Sequence, residues 1–130
     1  MWVVDYHLVE PWLDTLDQQT VASIFAALEK LAEAGPALGR PLVDTLQQAT
    51  LKNLKELRPA SSGNSEVRIL FAFDPARQAI LLLGGDKSRG KSKKYKWNGW
   101  YRKAVPLAEQ IYRNHLDELE RRNEDLQRLS

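Results

Sequence analysis

The spacing of apolar residues changes several times along the chain, and each change marks an element. Residues 2–8, WVVDYHL, are rich in β-branched and aromatic side chains and predict a first strand. Pro11 suits an early helical position and opens a short helix over WLDTL. Asp17 is placed as an N-cap. Behind it Val21, Ile24, Phe25, Leu28, Leu31 and Ala32 recur at helical spacing, forming one apolar stripe that Gly35 and Pro36 end. The connector ALGRPLVDTLQQA predicts no more than one helical turn. Three strands follow: LKNLKELR (51–58), EVRILFAFD (66–74) and AILLLGG (79–85). The turns between them, PASSGNS and PARQ, are short enough for antiparallel hairpins. AILLLGG has no polar alternation and predicts a central strand covered on both sides. Helical spacing returns from about Tyr101, with Val105, Leu107, Ala108, Ile111, Tyr112, His115, Leu116 and Leu119 on one side. His115 reads there as a structural residue, and the charged stretch 117–130 predicts a projecting helical tail. The order β-α-α-β-β-β-α implies an α+β domain: a compact antiparallel sheet, helices packed on one face, the other face partly open.

Alternation says what the open face carries. Lys52, Leu54, Glu56 and Arg58 share one side of their strand. In the next strand Val67, Ile69, Phe71 and Phe73 share the apolar side, which leaves Arg68 on the opposite one. An arginine inside an apolar strand needs a partner. If Arg68 faces Glu56 or Arg58 across the hairpin, the open face holds a small charged constellation. The plainer reading of Glu56 and Arg58 is an ion pair on a solvated face.

Composition then localises the charge. The 130 residues suit one domain, 1–130, and the formal net charge is only +2. Yet eight of the 19 Lys and Arg, and none of the 17 Asp and Glu, lie between Lys87 and Lys103, interleaved with Tyr95, Trp97, Trp100 and Tyr101. A concentrated cationic run with aromatic rings points to a polyanionic partner, nucleic acid above all. Arg89, Lys91, Lys93, Lys94, Lys96, Arg102 and Lys103, with Lys52 from the sheet, are candidates to follow phosphates. Trp97 and Trp100 are candidates to stack on unpaired bases, at roughly 1–3 kcal/mol each. Ser88, Gly90, Ser92 and Gly99 make 87–100 a basic aromatic loop able to order on contact. The same rings could instead anchor the loop and helix to the core. With no cysteine there is no thiolate ligand, and His7 and His115 have no carboxylates at metal-binding spacing, so neither metal nor organic cofactor is expected. The N-terminus lacks the regions of a signal peptide and no apolar run is long enough to span a membrane. A cytoplasmic protein with no membrane partner is expected.

Taken in order, GRPLVDTL, LKELRP, EVRILFAFDPARQAILLLGGDK and WYRKAVPLAEQIY resemble the RelE/HigB-type toxins of type II toxin–antitoxin modules, in particular the phage-derived HigB-like branch. The resemblance covers roughly residues 1–118. It implies a RelE/ParE-like fold and a ribosome-dependent endoribonuclease that cuts messenger RNA by metal-independent acid–base chemistry. It also implies a cognate helix-turn-helix antitoxin as partner. By position it assigns catalytic roles to Glu56, Arg58, Arg68, Lys87 and Tyr101. Glu56 would serve as base, the arginines would grip the phosphate, and Lys87 or Tyr101 would supply the acid. The chain departs from the pattern in having no histidine near the last strand and a long insert, SRGKSKKYKWNG. Two rival functions stand beside this one: a ParE-like toxin that inhibits DNA gyrase without cutting RNA, and a non-enzymatic nucleic-acid-binding protein.

Overall fold

Asp17 caps the longest helix of the N-terminal half: its carboxylate accepts the Thr20 N–H at 3.2 Å. In the computed structural model, which describes residues 1–60, 66–87 and 96–129, that helix is α2 (Gln18–Ala34). It ends at Gly35, whose φ of 58° an L side chain would resist and over which the Trp2 indole lies. Before it come β1 (Val3–Asp5), a 3-10 turn at His7–Val9 and a four-residue α1 (Glu10–Leu13). After it come β2 (Val43–Thr45), β3 (Leu54–Leu57), β4 (Val67–Phe73), β5 (Gln78–Asp86) and α3 (Lys96–Leu129).

The α+β class is as expected, and β3–β4 and β4–β5 are the antiparallel hairpins the short turns implied. Three details differ. The sheet, in the order β1-β5-β4-β3-β2, is mixed rather than antiparallel, because β1 runs parallel to β5. Turn length settles the direction of sequence neighbours, but β1 finds a partner more than seventy residues away and reaches it by a crossover. A fourth C-terminal strand, β2, lies where a connector was expected. It is only VDT, with one apolar residue, and exists by pairing Val43 with Leu57 and Asp44 with Glu56.

The helices also cover both faces instead of one. Ile69, Phe71, Ala79 and Leu81 pack with Leu13 of α1 and Ile24, Ala27, Leu28 and Leu31 of α2. Their neighbours Leu70, Ala72, Ile80 and Leu82 point the other way and pack with Ala104, Val105, Ala108 and Tyr112 of α3. β4 and β5 are apolar on both sides, so an open face would leave three large side chains, Leu70, Ile80 and Leu82, in water, at about 1.5–3 kcal/mol for each fully buried aliphatic. β5 is therefore the central, doubly covered strand its run of leucines implied. Arg68, Glu56 and Leu54 fall on the α3 side, at the end of the sheet where α3 begins.

Candidate active site

The centre of the site is a buried carboxylate. Glu56 on β3 is 1% exposed, because its strand neighbours point into the core and α3 lies over it. A lone buried carboxylate would be costly, and cations from two strands meet it. Arg58 donates from Nε to Glu56 Oε1 at 2.8 Å. Arg68, on the adjacent β4, brings its Nε to 3.8 Å from the same oxygen and donates from Nη1 to the Val67 carbonyl at 2.8 Å. Arg68 is only 12% exposed, whereas Arg58 is 34% exposed. The second carboxylate oxygen, Glu56 Oε2, and Arg68 Nε are buried, and neither has a hydrogen-bond partner of good geometry among the described residues. Buried polar groups are nearly always paired, and the Tyr101 hydroxyl faces the Glu56 carboxylate from α3.

Lys87 and Tyr101 close the cluster. The Lys87 ammonium lies 5.8 Å from the centre of the Tyr101 ring. Burial, then the neighbouring Arg68, push the Lys87 amine below the ordinary lysine value. Burial, reinforced by the Glu56 carboxylate that its hydroxyl faces, pushes the Tyr101 phenol well up, so it stays protonated. Tyr101 is seated by its neighbour: Trp100 meets it edge-on at 5.1 Å between ring centres and packs against Gly85. Asp44 on β2 is a member that sequence reasoning missed. Its Oδ2 accepts from Arg58 Nη2 at 3.2 Å and from Arg40 Nη2 at 2.9 Å. The Arg40 hydrogen bond, aided by the Thr45 N–H and Arg58, holds the Asp44 carboxyl below its ordinary value despite partial burial. The missing signal was β2 itself, since only strand pairing sets Asp44 opposite Glu56.

Residues 11–113 match the family described as "Phage derived protein Gp49-like". The chain belongs to that family. Over 119 residues, 92% of its length, this Gp49-like chain is 49% identical to "Putative toxin HigB2" of Mycobacterium tuberculosis (strain ATCC 25618 / H37Rv), and it spans 56% of that protein. Over 108 residues it is 48% identical to "Putative toxin HigB3" of the same organism, of which it covers 87%. All five residues of the cluster, Glu56, Arg58, Arg68, Lys87 and Tyr101, lie within the matched segment.

The remaining candidate residues of the Gp49-like chain scatter around this centre. Arg102 and Lys103 are exposed on α3, one and two residues beyond Tyr101. Lys52 is exposed on the β2–β3 connection. Lys96 and Trp97 fall in the first turn of α3, so the segment expected to be loop up to residue 100 is helical from Lys96. Arg89, Lys91, Lys93 and Lys94 lie outside the described residues. Trp100 is half-buried over Gly85, which gives it the anchoring role. His115 is structural as expected, its Nε2 paired with the buried Asp74 Oδ2 at 2.7 Å. Among the described residues no cluster of ligands suits a metal ion, and no helix is long and apolar enough to cross a membrane.

Proposed function

We propose that this protein is the toxin of a type II toxin–antitoxin module and that it cuts messenger RNA on the ribosome in the cytoplasm. A cognate helix-turn-helix antitoxin would restrain it. The observation that carries this reading is the buried Glu56 carboxylate, with two guanidiniums, a lysine of weakened basicity and a phenol gathered around it. The family membership and the names of the two mycobacterial relatives support it.

The cluster offers what metal-free RNA cleavage requires. Glu56 is too deep to touch a ribose, so it acts as base through Tyr101. The 2′-hydroxyl passes its proton to the phenol oxygen while the phenol passes its own to Glu56 Oε2. No phenolate accumulates, so the raised pKa of Tyr101 is no obstacle. The freed 2′-oxygen attacks phosphorus, and the bond from phosphorus to the 5′-oxygen breaks. The Lys87 ammonium protonates that leaving oxygen, and a depressed lysine is a better acid for this than an ordinary one. The products are a 2′,3′-cyclic phosphate and a 5′-hydroxyl, after which solvent restores both protons. Arg58, whose Nη1 has no partner among the described residues, and Arg68 stabilise charge growing on the phosphoryl oxygens. The exposed cations Lys52, Arg102 and Lys103 extend the positive surface along the RNA backbone.

The test is mapping of RNA ends on translating ribosomes, with wild type and Arg68→Ala. Cuts within codons carrying cyclic-phosphate ends and lost in Arg68→Ala are expected. Growth arrest with gyrase-dependent DNA breaks and intact message would replace this reading with the ParE-like one. Intact message and intact DNA would leave nucleic-acid binding alone.

A further inference from the structure

Beside the cluster, on the far side of Tyr101, is a hollow of about 390 Å³ lined by Gln48, Thr50, Tyr101, Arg102, Val105, Pro106 and Glu109. We propose that it seats the nucleobase next to the cleaved bond and that Gln48 and Arg102 select a purine there. The inference rests on the RNA-cleaving reading above and names the part of the substrate that the reading leaves open.

Tyr101 belongs to both places, so whatever occupies the hollow lies one ring away from Glu56 and Lys87. The lining suits a flat heteroaromatic ring, since it combines aromatic Tyr101 with apolar Val105 and Pro106. Bases stack on such surfaces whatever their sequence, so discrimination needs polar groups at the rim. Two are available there. The Gln48 side chain is exposed and has no hydrogen bond among the described residues, and its amide offers a donor beside an acceptor, the complement of adenine's edge. The Arg102 guanidinium is exposed and unpaired among the described residues, and its fork matches guanine. The opposite wall is already committed: Thr50 Oγ1 and the Leu51 N–H both donate to Glu109 Oε2, which fixes the connection against α3. The rim groups are thus free while the frame that carries them is tied.

The experiment maps RNA ends made by wild type, Gln48→Ala and Arg102→Ala across a transcriptome and compares the base frequencies flanking each cut. Wild type is expected to show a purine at one fixed position. Gln48→Ala should lower the adenine preference there about tenfold with total cutting preserved, and Arg102→Ala, which also removes a backbone cation and so cuts less overall, should lower the guanine preference by a similar factor relative to the other bases. Variants that cut as well as wild type with an unchanged base profile would overturn the inference and leave the cleavage reading standing. So would variants that cut all sequences equally less, which is the mark of a general RNA contact. Absence of cuts by wild type removes both.

Discussion

Replacing Glu56 by glutamine keeps the shape of the buried side chain and deletes its charge and its ability to take a proton. Two effects follow, and they are separable. In stability, Arg58 loses a 2.8 Å charge-assisted hydrogen bond and Arg68 loses the nearer of its two counter-charges, at 3.8 Å, keeping Glu66 at 4.0 Å. A hydrogen bond to a charged group contributes about 1.5–3 kcal/mol. Arg58 is one-third exposed and keeps Asp44, so the expected cost is about 1–2 kcal/mol, or a fall in Tm of roughly 3–10 °C. A chain destabilised by that amount stays folded at 25 °C if its starting stability is in the usual range of about 5–15 kcal/mol. In activity, loss of the base should reduce single-turnover cleavage about 10²- to 10⁴-fold.

The discriminating step is a double-mutant cycle with Tyr101→Phe. If the proton passes from the ribose through Tyr101 to Glu56, either substitution breaks the same relay and the double variant cuts no more slowly than the worse single one. Thermal melts establish the folded fraction, and RNA cleavage on ribosomes in single turnover gives the rates. Glu56→Gln cutting within about threefold of wild type, or losses that multiply in the double variant, would refute the relay.

Gly85→Ala places a Cβ about 2.5 Å from Trp100 Nε1, so the indole must leave and Tyr101 loses its seat; cleavage should fall by more than about tenfold, while Gly39→Ala, which meets nothing, should leave it unchanged. Lys87, depressed from the ordinary 10.5, binds fewer protons in the folded chain than in the unfolded one between its two titration points, so wild-type stability rises with pH across that window. Lys87→Met lacks this rise, and urea midpoints should show its margin relative to wild type shrinking as pH climbs from 7 toward 10.5. His115→Ala leaves the fully buried Asp74 with only Gln78 as donor, and should cost about 2–4 kcal/mol in urea unfolding while leaving cleavage per folded molecule intact.

Much of this site was legible because strands alternate. Arg68 interrupts an apolar strand, and period two puts it opposite that strand's apolar side; the β3–β4 register then sets it on the side of Glu56. The N-cap at Asp17 and the double burial of β5 were legible for equally local reasons, a short polar side chain before an apolar stripe and a run without polar residues. What escaped was decided at a distance. Apolar residues on both sides of β4 and β5 require cover, but nothing in their spacing says that α2 takes one face and α3 the other. β2 has too few apolar residues to announce itself, so Asp44 and the frame of the Gln48 hollow went unseen with it. The first turn of α3 is hidden because Gly99, a poor helix former, sits in KWNGW; the packing of Trp100 on Gly85 offsets that weakness.

The glycine pair at the end of β5 explains why these parts converge. Gly84 and Gly85 point to opposite faces of the sheet, and a tryptophan closes on each, Trp12 of α1 on one side and Trp100 of α3 on the other. In the β4–β5 register Gly85 lies directly across from Arg68, so the two share a face. Where any other residue would place a side chain beside Arg68, the strand leaves space, and the Trp100 indole enters it. That single close approach fixes the rotation of α3 at its start, which turns Tyr101 toward Glu56 and leaves Arg102 at the rim of the neighbouring hollow. Lys87, two residues beyond Gly85, emerges on the same side. The charged cluster therefore depends on a residue with no side chain at all. Substitution at Gly85 should disturb Tyr101, Lys87 and Arg68 together, whereas the same change at Gly84 should act on the α1 face and lower stability without reordering the site.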